Sequence, residues 1–350
     1  MLIKQSILKL ISTLVLLILL FRSGNCQDDL KSLPVRIMFY NVENLFDTYN
    51  DTLTDDDEFL PDGVRRWNNS RYYKKINSVY KTIVAAGEWS PPAVVAFCEI
   101  ENRKVLEDLT HETYLSRYPY GIIHVDSPDE RGIDVCLIFR KDIVRIIDYQ
   151  SWIPSDEKRT DFNTRSVLYV KCAIMGDTLH LIMNHWPSRR GGVLAGETRR
   201  FSIARMVRNA TDSLCLATSG KAKIIIMGDF NSDPDDPAIQ ALVNPQEPEK
   251  RSTGLKLANL AERSSPGIPG TYRYMGVWEM IDQVIVSDRL INCNKGLFTV
   301  MGNFRIFAPD FLLRNDSKYP GLTTFSTYKG YRYQGGVSDH LPVLLDLDFR

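Results

Sequence analysis

No two of the six cysteines, at positions 26, 98, 136, 172, 215 and 293, stand close enough to form a C-x-x-C pair. A structural zinc site therefore has no ligand pattern to rest on. Cys98, Cys136 and Cys172 lie in apolar, strand-like runs and are expected as buried thiols rather than disulfides. Charge of either sign is also missing in surplus, since 43 basic residues balance 43 acidic ones. That excludes the bulk positive field of a tight nucleic-acid binder, so any phosphate must be held by a few basic side chains or a metal. There is no repeat, no low-complexity tract and no apolar run long enough for a comfortable membrane span, which takes about 20 residues.

The apolar stretch that does occur, Leu10 to Phe21, is broken by Ser12 and Thr13, follows Lys4 and Lys9, and runs into Ser23-Gly24-Asn25-Cys26. A basic start, a short apolar run and a small-residue exit describe a secretory signal peptide over residues 1–26. An uncleaved anchor and a lipoprotein carrying lipid on Cys26 are the alternatives, and Asn25 before the cysteine speaks against the second. Cleavage would remove Lys4, Lys9 and Arg22, leaving 40 basic against 43 acidic residues, a balance of −3. The remainder, 27–350, shows no clear linker and is expected to be one exported, monomeric α/β domain without a membrane span.

Apolar strand-like runs that end in polar residues recur along it. Val35–Tyr40 leads into Asn41 and Glu43, Ala93–Cys98 into Glu99 and Glu101, Leu179–Asn184 into His185, and Ala222–Met227 into Gly228-Asp229-Phe230-Asn231. Further strands are expected at Ile133–Phe139, Val167–Ile174, Met280–Val286 (carrying Asp282 near its start) and Pro342–Phe349, which Ser338-Asp339-His340 precedes. Ile76, Val79, Tyr80, Ile83 and Val84 are spaced for a helix over Arg71–Gly87, and Glu197–Ala217 reads as another. Gly254–Tyr274 and Asp310–Gly336 read as long surface loops. The order is strand-rich without strict βαβ alternation, which favours mixed or paired sheets over a doubly wound one.

One polar residue at a strand end is ordinary turn chemistry. Six such groups suggest one face of a sheet assembly collecting oxygen and nitrogen ligands. Carboxylates and amides suit a hard ion such as Mg²⁺, Mn²⁺ or Ca²⁺, and two histidines with a spare aspartate supply proton transfer and water activation. That set is the equipment of metal-assisted phosphoester hydrolysis. Asp229, Asn231 and Asp233 also match positions 1, 3 and 5 of an EF-hand loop, but Pro234 and Gln240 stand where glycine and glutamate are needed, and that reading fails.

Gly-Asp229-Phe-Asn231 after a strand, with Ser-Asp339-His340-Leu-Pro before the last one, resembles the endonuclease/exonuclease/phosphatase (DNase I-like) superfamily. Phe-Tyr-Asn41, Cys-Glu99-Ile-Glu, Asn-His185-Trp-Pro-Ser and Ile-Asp282-Gln-Val-Ile-Val fall in its order, and the likeness covers about 35 to 350. It implies a four-layer α/β sandwich, two packed, mostly antiparallel mixed sheets flanked by helices, and hydrolysis of phosphodiesters or phosphomonoesters with Mg²⁺ or a similar ion. By matching position, Glu99 would be the principal metal ligand with Asn41 and Asp339 beside it. Asp229 would orient or deprotonate the attacking water, and Asn231 would hold the scissile phosphate. His340, fixed by Asp282, would stabilise the transition state or move a proton. His185 would contact phosphate or protonate the leaving oxygen, and which histidine does which stays open. Arg165 falls where the DNase branch places a phosphate-binding arginine, and Asp134 is a candidate partner for His185 although one residue off the family's position.

Several residues keep two readings. Arg189 and Arg190 offer a phosphate cradle or a solvated basic loop, and Glu43 and Glu101 either support the site or are surface charge. Asp233, Asp235 and Asp236 are expected in a solvated loop, and Trp67, Trp152 and Trp278 in the core. The functional expectation is an exported metal-dependent nuclease acting on DNA or RNA. The alternative is a phosphatase or phosphodiesterase for inositol phosphates, phospholipids or other small phosphoesters; a lipid-active enzyme would carry an exposed apolar hairpin, for which Gly296–Phe311 is the closest candidate.

Overall fold

Burial alternates along the strands of a computed structural model that describes residues 33–155, 163–188, 193–245, 254–262 and 267–350. In β1 (Val35–Leu45), Val35, Ile37 and Phe39 enter one apolar cluster while Met38, Tyr40 and Val42 enter another, as a period of two requires. The first sheet joins β1 to β2 (Val94–Ile100), β3 (Tyr120–Ile123), β4 (Asp134–Arg140), β13 (Leu297–Phe298), β14 (Phe304–Ile306) and β19 (Val343–Phe349). The second is built of β5 (Val144–Trp152), β6 (Val167–Ile174), β7 (Asp177–His185), β8 (Lys223–Asp229), β9 (Leu257–Asn259) and β12 (Asp282–Ser287). Three hairpins complete the strands: β10–β11 (Tyr272–Tyr274, Val277–Glu279), β15–β16 (Leu313–Asn315, Leu322–Thr324) and β17–β18 (Tyr328–Lys329, Arg332–Tyr333).

Three buried clusters define the layers. One is shared between the sheets, with Phe39, Ala96 and Leu137 from the first and Val170, Leu181, Met227 and Val284 from the second. Another packs the outer face of the first sheet against α1 (Asn69–Gly87) through Tyr72, Ile76, Val79 and Ile83, and against α2 (Arg103–His111) through Val105, Leu106 and Leu109. The third packs Ile182, Ile224, Ile226 and Ile285 against α3 (Val193–Ala217) and α4 (Pro237–Val243). This is the α/β/β/α sandwich expected, and among the described residues only β1–β2 and β7–β8 pair in parallel within its two large sheets.

Helix α1 starts before Arg71 because the Asn68 side chain caps it, accepting from Arg71 N–H at 3.2 Å. The two stretches expected as loops carry β9, β10 and the β15–β16 and β17–β18 hairpins in their described parts. Gly296–Phe311 is not a free hairpin, since β13 and β14 both pair with β19. No helix among the described residues is long and apolar enough to cross a membrane. Residues 1–26, including Cys26, lie outside the described residues, and the five described cysteines are free thiols.

The two parallel pairs determine where polar residues gather. Parallel strands end on the same side, so β1 and β2 bring Asn41 and Glu99 together, while β7 and β8 set His185 opposite Asp229. Strands β12 and β19 run antiparallel to β8 and β1, so their beginnings reach that same end, with Asp282 opposite Asp229 and Val343 opposite Phe39. Hence His185 and Asp229 close strands, Glu99 stands one residue from the end of β2, Asn41 sits where the β1 register shifts, Asp282 opens a strand and His340 lies just ahead of another.

A part-buried ion cluster on the first sheet yields a stability prediction. Arg36 donates from Nε and Nη2 to Asp346 at 2.7 and 3.0 Å across β1–β19, and Arg305 donates to Asp346 at 2.7 Å. Burial pushes the Asp346 carboxyl up, but the bonds from Arg36 and Arg305 outweigh it and hold it below its ordinary 3.8. Stability from this carboxylate is therefore complete above that value and lost as pH falls through the lower folded one. Asp346→Asn removes the principal counter-charge of Arg36, which keeps only the exposed Glu88 at 3.2 Å, and costs about 1–3 kcal/mol by urea unfolding at pH 7, a deficit that shrinks below about pH 4.

Candidate active site

Bulges aim the strand ends. The β1–β2 register shifts between Asn41 and Leu45, and the β2–β4 register between Cys98 and Ile100. At these places Glu43, Asn44 and Glu99 have φ of 52°, 54° and 62°, and Asn231 after β8 has 48°. Left-handed backbone in non-glycine residues is unfavourable and tends to persist at functional sites. Here it aims backbone N–H groups at the site carboxylates: Asn44 N–H holds Glu99 Oε2 at 2.8 Å, and Asn231 N–H holds Asp229 Oδ1 at 2.9 Å. Gly228 is required because a Cβ there would meet Asn184 O of the neighbouring strand at 2.3 Å.

The floor consists of buried groups. Asn41 Nδ2 donates to Asp229 Oδ2 at 3.0 Å and Glu99 Oε1 at 3.4 Å, and its Oδ1 accepts from Glu43 N–H at 2.9 Å. His340 Nδ1 lies 2.7 Å from Asp282 Oδ2, which also accepts from Thr271 Oγ1 at 2.6 Å. The other ring nitrogen of His340 is 3.9 Å from both Asp229 and Asp339. His185 Nε2 lies 3.7 Å from Asp229 and 3.8 Å from Glu99, and its Nδ1 is buried without a partner among the described residues. Glu99, Asn231 and Asp339 are part-exposed and form the mouth.

Electrostatics separates the two histidines. Burial lowers His340, but Asp282 and Asp229 overcome it and hold the imidazole well above 6.5, as a cation. Burial, with the charges of Arg165 and Arg131, holds His185 well below 6.5, as a neutral ring. Burial raises Asp229 to about 7, with Asp282 adding to the rise and His340 opposing it.

The sequence profile of the Endonuclease/Exonuclease/phosphatase family matches residues 36–348. The chain belongs to that family. As a member it is a phosphoester hydrolase of a divalent-metal-dependent class. The fold is similar to that of the endonuclease/exonuclease/phosphatase from Bacteroides vulgatus, at 14% identity and TM-score 0.56 over 90% of this chain and 99% of that one. It is also similar to a Bacteroides thetaiotaomicron mannosyl-6-phosphatase (16%, 0.56, covering 90% and 100%) and to humanized D. rerio TDP2 (12%, 0.54, covering 90% and 98%). No curated protein matches the sequence.

In this endonuclease/exonuclease/phosphatase the donor set fits a hard cation. Glu99, Asn41 and Asp339 are all oxygen donors, and the Asn41 oxygen keeps a lone pair beyond its bond to Glu43. Burial, with the charge of Glu99 adding to it, raises Asp339, a demand for positive charge that a divalent ion would meet. Cys98, His185 and Asp229 also place ligand atoms within 4.8 Å of one another. Burial pushes the Cys98 thiol far up, so it is no thiolate ligand.

Asn41, Glu99, His185, Asp229, Asn231, Asp282, Asp339 and His340 thus come together; Arg165 lies behind them and Arg190 falls outside the described residues. Asp134 does not serve His185: its Oδ2 is 3.1 Å from His124 Nε2 and its Oδ1 accepts from Ser127 N–H. Glu43 is buried support, accepting from Thr327 and Tyr328 N–H at 2.5 and 2.9 Å while Lys75 donates to its carbonyl. Glu101 accepts from Asp47 N–H at 2.6 Å. Asp233 and Asp236 are not idle loop charges, since Asp233 accepts from Met280 N–H and Asp236 caps α4; Asp235 is exposed. Sequence reasoning missed Lys75, Thr271 and Asp129. Lys75 carried one signal, a cation at Ile76's neighbour on a helix face that turns inward.

Proposed function

We propose that this protein is an exported nuclease that uses Mg²⁺, or Mn²⁺ or Ca²⁺ in its place, to hydrolyse phosphodiester bonds of DNA or RNA. The observation that carries it is the meeting of Asp229, Asn231, His185 and the Asp282–His340 pair beside an oxygen-only donor set at the shared end of both sheets. A diester suits the local charge, carrying one negative charge near neutrality where a monoester approaches two. Among similar folds, a D. rerio TDP2 is complexed with single strand DNA product. Export follows from the reading of residues 1–26 as a signal peptide.

In this mechanism Glu99, Asn41 and Asp339 would hold the ion, which would supply Lewis-acid polarisation of the phosphoryl group. Asp229, near neutrality and held by Asn41 and Asn231, orients the attacking water and accepts its proton. Asn231 spends one N–H of Nδ2 on Trp186 O at 2.9 Å, and the second N–H of that amide donates to a phosphate oxygen. His340, kept cationic by Asp282, stabilises charge developing on the phosphoryl oxygens. Neutral His185 contacts the phosphate beside the leaving oxygen.

Chelation tests the metal reading. Hydrolysis of plasmid DNA, RNA and bis-p-nitrophenyl phosphate is expected to vanish with excess chelator and return with Mg²⁺ or Mn²⁺. Full activity in chelator sinks it, and release of phosphate from inositol phosphates or other monoesters without diester cleavage promotes the phosphatase alternative.

A further inference from the structure

The arginine singled out by resemblance has both terminal nitrogens taken, and only its buried Nε is without a partner among the described residues. Arg165 is buried, with Nη1 on Asp129 Oδ2 at 3.2 Å and Nη2 donating to Trp186 O at 2.9 Å. The other end of Asp129 faces a different arginine: Arg131 N–H donates to Asp129 Oδ1 at 3.2 Å, and Arg131 Nε lies 3.5 Å from the same oxygen. The Arg131 side chain is 46% exposed, and among the described residues neither terminal nitrogen has a partner.

The loop presenting Arg131 is pinned. Gly132 N–H donates to Asp129 O at 3.0 Å and Asp55 N–H to Glu130 O at 2.8 Å, while Gly132 has φ 68° against the Thr54 side chain. The loop is also tied to the cleft, because Trp186 O accepts from both Arg165 and Asn231. Arg131 is close enough for its charge to act on His185.

We propose that Arg131, and not Arg165, is the specificity-determining cation that receives a substrate phosphate, with Asp129 and Arg165 as positioning residues beneath it. Its free guanidinium edge presents two parallel N–H donors, the pattern that takes two oxygens of a phosphate at once. The inference deepens the proposed phosphoesterase function and rests on it for the identity of the ligand, not for the existence of an oxyanion site.

The test uses the full Mg²⁺-loaded protein, with inorganic phosphate as calorimetric probe and bis-p-nitrophenyl phosphate and an oligonucleotide as substrates. Arg131→Gln is expected to raise the Kd for phosphate and the KM for diester about 10- to 100-fold, the effect of losing a charge-assisted contact. kcat should stay within about threefold, and the melting temperature unchanged because the side chain is exposed. Arg131→Lys, which keeps charge without the fork, should recover part of the loss. A KM rise confined to the oligonucleotide also supports the cation and places its contact on a neighbouring phosphate. Unchanged Kd and KM in Arg131→Gln overturn the proposal, as does a fall in kcat alone. So does a folded Arg165→Lys that loses phosphate while Arg131→Gln retains it. Should the wild type hydrolyse no ester yet bind phosphate through Arg131, the nuclease reading fails and this one stands.

Discussion

Asp229→Asn lowers kcat for diester hydrolysis by at least about 10³-fold while the chain still folds. The substitution keeps the shape of the side chain and removes the ability to accept a proton. Asp229 Oδ1 accepts from Asn231 N–H at 2.9 Å and Oδ2 from Asn41 Nδ2 at 3.0 Å, so both oxygens are presented with donors. An amide can satisfy only one of them as acceptor and must set its own NH₂ against the other. The variant therefore loses the base and also disturbs Asn41 and Asn231, on which ion and phosphate depend in the proposed mechanism. The comparison is kcat for wild type and variant beside matched thermal unfolding; turnover within tenfold of wild type in a folded variant removes Asp229 from the role of base.

The second large effect belongs to His340. His340→Ala is expected to reduce kcat about 10³- to 10⁴-fold, the range found when a preorganised charge stabiliser or proton donor is removed. Asp282 acts through it, because Nδ1 of the ring lies 2.7 Å from Asp282 Oδ2. Asp282→Asn should cost less, about 10- to 10²-fold, because the ring keeps its place between Tyr272 (ring centroids 4.9 Å apart) and the site but loses its principal counter-charge. Single-turnover rates of both variants and the double variant decide the matter. A double variant much worse than His340→Ala alone would show Asp282 acting independently, against the pairing proposed here.

Most of the site was legible along the chain because its members are strand termini. An apolar run with a period of two or a continuous buried strand announces itself, and the carboxylate or imidazole that interrupts it is conspicuous; Asp229 after Ile224–Met227 and Glu99 after Val94–Cys98 are such cases. The helix over Asn69–Gly87 is legible from its buried face, but its first turn is not, because the Asn68 cap lies ahead of the periodic residues. Asp233 and Asp236 escaped because a loop aspartate that accepts a backbone N–H has the same local sequence as one that faces water. Asp134, a candidate partner for His185 only by likeness to a family position one residue away, has its carboxylate 3.1 Å from His124 instead.

By itself, then, the sequence determined which residues end strands, which apolar positions face inward, and which family the ordered motifs belong to. Tertiary structure alone decided who meets whom. The parallel pairs β1–β2 and β7–β8, with β12 and β19 running back beside them, gather six distant segments at one end of two sheets. Left-handed backbone at Glu43, Asn44, Glu99 and Asn231 then lets the N–H groups of Asn44 and Asn231 hold Glu99 and Asp229 in place. The same packing buries Arg165 against Asp129 and leaves Arg131 partly exposed. Distances across strands and the solvent exposure of a charge depend on contacts between residues far apart in the chain, and no local pattern encodes them.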